Sequence, residues 1–85
     1  MTRGVFYYIG YGGKIYTIQI DYVDNVIVLW SDKSHITYNW KFDDIQFCIE
    51  GILFSFSNGE VIEKVLDTIQ DILQKGTVIG CEEYD

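Results

Sequence analysis

The stretch Phe54–Ile69, FSFSNGEVIEKVLDTI, changes its period partway along. Up to Phe56, apolar and polar residues alternate, as in a strand with one buried face. From Val61 the apolar residues fall at Val61, Ile62, Val65, Leu66 and Ile69, then at Ile72 and Leu73. That is the i, i+3, i+4 stripe of an amphipathic helix. Ser57 or Asn58 can cap its start, and Glu60 suits the first turn. Lys75 suits the last turn, and Gly76 is a ready C′ residue to end the helix. The pattern predicts sheet over 1–57, helix over 58–75, and an acidic tail or short edge strand over 76–85.

Upstream of the switch the period is two almost throughout. Val5 to Ile9 is a short first run. Ile15 to Tyr22 is the second, with Tyr16, Ile18, Ile20 and Tyr22 on one face and Thr17, Gln19 and Asp21 on the other. Asp24-Asn25 marks a turn. Val26 to Trp30 is apolar on both faces, which suits a central strand or one covered by a second chain. His35 to Phe42 alternates again, with Ile36, Tyr38, Trp40 and Phe42 predicted inward. Ile45, Phe47 and Ile49 follow, then Ile52, Phe54 and Phe56 beyond Glu50-Gly51. That dipeptide reads as a two-residue turn, with a bulge as the competing reading. One apolar sheet face and one apolar helix stripe bury each other most economically in two layers. The expectation is a single α+β domain: a twisted antiparallel meander of five or six strands against one C-terminal helix.

Tyr8 to Tyr16, YIGYGGKIY, raises the question of a phosphate loop. The G-x-x-x-x-G-K-[ST] pattern requires glycine where Tyr8 stands and Ser or Thr where Ile15 stands, and it opens a helix. The stretch therefore reads as a hairpin turn, where glycine supplies positive φ.

Thirteen acids against six bases give a net charge of −7. Such a chain is repelled by nucleic acid and by anionic membrane and is attracted to basic partners. No run reaches the roughly 20 apolar residues of a membrane helix. The N-terminal residues lead into alternating aromatics, unlike a signal-peptide core, so a cytoplasmic protein is expected. Cys48 and Cys81 are expected to be reduced and form no metal motif. His35, the only histidine, reads as an exposed turn residue. The neighbouring pairs Asp43-Asp44 and Glu82-Glu83 point to opposite sides of a strand and do not converge by themselves. No enzyme, cofactor or metal is expected.

On the helix, Glu60, Glu63, Asp67 and Asp71 fall within an arc of roughly 80°, opposite the apolar stripe. Like charges at this spacing cost a few tenths of a kcal/mol each. Successive carboxylates rise about 6 Å, too sparse to imitate the phosphates of a duplex. Duplex mimicry would need acids from the turns, such as Asp21, Asp24, Asp43 and Asp44, or from the tail; the stripe better fits a local acidic plug in a basic channel, with Asp43, Asp44, Glu82 and Glu83 as further partner-binding candidates. The profile of one short acidic domain without a catalytic motif is similar in size and charge to phage anti-defence proteins, anti-CRISPR proteins among them. Immunity proteins against nuclease toxins share it. The reading is a non-catalytic inhibitor of a basic, nucleic-acid-handling protein. Two alternatives stay open: a homodimer or larger oligomer through Val26, Val28 and Trp30, and a small-molecule binder with an aromatic pocket between sheet and helix.

Overall fold

The computed structural model describes all residues, Met1–Asp85. In chain order the elements are β1 (Gly4–Tyr11), β2 (Lys14–Asp21), β3 (Val26–Ser31), β4 (Ser34–Asn39), β5 (Asp44–Ile49), β6 (Ile52–Phe56), α1 (Gly59–Lys75) and β7 (Thr77–Tyr84). Six strands form an antiparallel meander. Helix α1 then carries the chain back across the sheet, and β7 pairs antiparallel with the outer edge of β1. The sheet has seven strands in the order β6-β5-β4-β3-β2-β1-β7. This is an α+β fold, with one strand more than expected. The predicted tail or short edge strand is an eight-residue strand paired with β1 from Gly4 to Gly10.

The core forms where α1 crosses the sheet. Ile9, Ile18, Leu29 and Ile45 come from four different strands, and Ile62, Val65, Ile69 and Ile72 come from the helix. Each sheet member sits at an alternate position, so period two delivers one face to the helix. Asn58 caps α1, its side chain accepting from the Glu60 N–H at 2.9 Å. Removing that acceptor leaves a helical N–H without its partner. Asn58→Ala is therefore expected to cost about 1 kcal/mol, lowering the melting temperature by roughly 4–8 °C. Thermal unfolding followed by circular dichroism checks it.

Three local readings are corrected. Strand β4 ends at Asn39, so Trp40 and Phe42 do not point inward; Phe42 is 72% exposed. The cause is Asn39, whose side-chain oxygen accepts from the backbone N–H groups of Lys41 and Phe42 and bends the chain into a turn. His35 is not an exposed turn residue but a half-buried member of β4, its ring 4.5 Å from that of Trp30. Gly76 caps the helix in an extended conformation, φ −75° and ψ 167°, because the chain passes straight into β7.

The two glycine turns behave as read. Gly12 and Gly13 have φ of 59° and 78° and join β1 to β2, so YIGYGGKIY is a hairpin. Glu50-Gly51 is a turn between β5 and β6, with Ile49 opposite Ile52 and no bulge.

Candidate protein-binding surface

The buried stripe of α1 fixes where its carboxylates point. With Ile62, Val65, Ile69 and Ile72 against the sheet, Glu60, Glu63 and Asp67 lie exposed on the far side. None of the three forms an ion pair or a side-chain hydrogen bond. Asp71 differs. Its carboxylate accepts from the Tyr11 hydroxyl at 2.7 Å and pairs with Lys75 at 2.9 Å. The Tyr11 hydrogen bond, then that of Lys75, holds its carboxyl below the usual aspartate range. Asp71 thus fastens the end of the helix to β1, and three rather than four helix carboxylates are free.

The remaining candidate acids divide between distant places. Asp43 and Asp44 lie in and beside the β4–β5 turn, at the sheet end where α1 begins. Asp43 accepts from the Tyr38 hydroxyl at 2.9 Å. Glu82 and Glu83 lie on β7, at the other edge. Glu82 accepts from Tyr8 and Glu83 from Thr2. At about 4.8 Å per strand, β7 is roughly 24 Å from β5. The helix face and the β4–β5 turn can act together; the β7 pair stands apart. The same separation keeps Cys48 on β5 from Cys81 on β7, and both are free thiols.

The topology sorts charge by position in a way the linear sequence does not display. The sheet end that carries Asp24, Asp43 and Asp44 also carries Asp21, Glu83 and Asp85. Of the bases at that end, Arg3 is already committed to Asp21 at 2.8 Å and Asp24 at 2.6 Å, and Lys41 lies exposed in the β4–β5 turn with its ammonium over the Phe42 ring. Lys14, Lys33 and Lys75 lie at the opposite end, beside Asp32 and Glu50. The molecule has an acidic end and a mixed end.

Asp21 plays a different part from the one its face suggested. It is 3% exposed. One carboxylate oxygen accepts from the backbone N–H groups of Val23 and Asp24; the other accepts from Arg3 Nε and the Tyr84 hydroxyl. Gln19 donates to the Tyr84 oxygen at 2.8 Å. Burial pushes the Asp21 carboxyl up, but the bonds from Asp24, Arg3 and Tyr84 outweigh it and bring it down to about 2. Gly4 makes room for this latch: a β-carbon there would run into the Ile20 carbonyl and the Tyr84 ring. Sequence reading missed the latch because its members come from both ends of the chain.

Of the residues named for an oligomer interface, Val28 is buried, Val26 is half-buried and Trp30 is 41% exposed. They lie on the sheet face that α1 does not cover. A groove of about 250 Å³ lies instead at the far edge, lined by Phe47, Ile49, Phe54, Phe56 and Val61. No polar side chain lines it, whereas small-molecule sites carry a few convergent polar groups. No helix is long and apolar enough to cross a membrane.

Fold and surface together define an open-sheet α+β protein with an acidic end and a row of unpaired helix carboxylates. Comparison with protein-family models, curated proteins and solved structures finds no match for the chain.

Proposed function

We propose that the chain is a small acidic non-catalytic inhibitor, in the manner of phage anti-defence proteins. It binds a basic, nucleic-acid-handling protein through the outer face of α1 and the adjacent β4–β5 turn. The observation that carries this reading is that Glu60, Glu63 and Asp67 share one exposed face and have no partner within the chain. Lys64, exposed beside them, offsets part of their mutual repulsion without forming an ion pair, and a basic groove would neutralise the rest. An immunity protein against a nuclease toxin would use the same chemistry, and the identity of the captured protein separates the two.

The test is affinity capture from host lysate at low and high salt. The parent is compared with a variant carrying Glu60→Lys, Glu63→Lys and Asp67→Lys. Asp71 is left alone because it holds the helix to Tyr11. The parent is expected to retain a basic nuclease or related enzyme at low salt and lose it at high salt. The variant is expected to associate at least about tenfold more slowly, since opposite charges steer encounter. Equal capture of the same protein by both, at either salt, would remove the electrostatic reading.

A further inference from the structure

The two edges of the sheet are guarded differently. Strand β7 carries Glu82 and Glu83, and its pairing with β1 shifts register between Tyr8 and Ile9. Charges and bulges of this kind deter edge-to-edge pairing. Strand β6, ILFSF, has neither. It pairs only with β5, its whole length is exposed, and no charged residue or proline occurs from Gly51 to Gly59. Beside it lies the apolar groove.

We propose that the free edge of β6 pairs antiparallel with the β6 of a second copy, about a two-fold axis at Phe54. The register follows from the hairpin. Ile49 and Ile52 flank the two-residue turn and bond to each other, so Ile52, Phe54 and Phe56 direct their backbone groups toward β5. Leu53 and Ser55 direct theirs outward. Centring the pair on Phe54 sets Leu53 of each copy opposite Ser55 of the other, which joins the outward N–H and C=O groups. Phe54 meets its own counterpart on the groove side, and Ile52 meets Phe56. A surface that must match itself is what two-fold symmetry requires.

Charge and area favour this occupant. A chain of net charge −7 repels its own copies except where it is neutral, and β6 is its neutral strip. In this register each Glu50, the one acid bordering β6 at the hairpin turn, falls opposite Asn58 of the other copy and not opposite another acid. Ile49, Ile52, Leu53, Phe54 and Phe56 are 51%, 60%, 59%, 46% and 42% exposed. At about 200 Å² for a large apolar side chain, roughly 500 Å² per copy is open. Two copies therefore offer up to about 1,000 Å² between them, the scale of a specific interface, of which strand pairing covers the parts that face the other copy. A basic target has nothing to neutralise here. The surface adjoins the acidic face where Phe56 and Val61 meet Asp44 and Glu60, but it uses apolar groups and a strand edge, so neither proposal depends on the other.

The experiment is a concentration series by sedimentation equilibrium on the parent, Ile52→Lys/Leu53→Lys, and Trp30→Lys. The parent and Trp30→Lys are expected to approach twice the 9.9 kDa chain mass. The double variant is expected to remain at the chain mass with an unchanged helical circular dichroism signal. A parent that stays monomeric throughout overturns the proposal. So does a dimer that survives in the double variant or is lost in Trp30→Lys, which would put the contact on the open sheet face. Hydrogen exchange on the parent gives a reading that no variant can spoil. The Leu53 and Ser55 amides are expected to slow as concentration rises, and exchange independent of concentration overturns the pairing.

Discussion

Asp21→Ala is expected to lower the melting temperature by roughly 12–24 °C, corresponding to about 3 kcal/mol. The carboxylate takes four donors, and alanine leaves all four without it. The Val23 and Asp24 amides lose their turn acceptor, and the Tyr84 hydroxyl keeps only Gln19. Tyr84→Phe removes one of those bonds and the bond accepted from Gln19, and is expected to cost about 1–2 kcal/mol. The pH dependence has a defined sign. The Asp21 carboxyl titrates at about 2 in the folded chain against an ordinary 3.8. Its contribution is therefore complete above about pH 4 and is lost as pH falls toward about 2, because the unfolded chain takes up the proton first. In Asp21→Ala the acid side of the stability profile is expected to flatten over that window. Thermal melts from pH 2 to 7 measure both effects. A variant that melts with the parent would show that the latch adds nothing.

Ile69→Ala is expected to cost about 3–4 kcal/mol, a large share of the roughly 5–15 kcal/mol that stabilises a small domain. Ile69 is 4% exposed and lies midway along the helix stripe, within the cluster that joins α1 to four strands. One helix covers the sheet, so no second layer can move in to fill the space left. Leu73→Ala is the control: Leu73 is 40% exposed, and the expected loss is below about 1 kcal/mol. Urea unfolding of both variants gives the comparison. Equal losses would mean that the helix face is packed differently.

The parts of this architecture legible in the sequence are those decided within a few residues. The stripe from Val61 to Leu73 defines α1 by its spacing alone. Gly12-Gly13 and Glu50-Gly51 define turns because positive φ is a local requirement. What was not legible depends on distant partners. Thr77 to Tyr84 reads as a tail or a short edge strand, and its full eight residues become a strand only by pairing with β1, more than sixty residues away. Asp21 reads as a solvated residue because Arg3 and Tyr84 complete its site. Asp71 reads as one of four equivalent acids until Tyr11 is brought against it. Trp40 and Phe42 keep the alternation of the strand before them, and a single Asn39 side chain overrides it. The free carboxylates of α1 were legible because a helix presents its outer face by rule. The groove along β6 reads from the sequence only as an aromatic pocket between sheet and helix; its place at the sheet edge follows from one helix failing to span seven strands.

The pairing of β7 with β1 also sets the order in which the molecule can assemble. Every other strand pair joins neighbours along the chain and closes a short loop. The β1–β7 pair brings Gly4 to Tyr84 and Gly10 to Thr77, so its closure entropy is the largest in the fold. Hairpins close in microseconds, so the meander is expected to form first and leave β1 as an open template. Until the last strand arrives the sheet has two bare edges, and Asp21 lacks one of its donors. While that state lasts, two unpaired strand edges offer a template for self-association during folding.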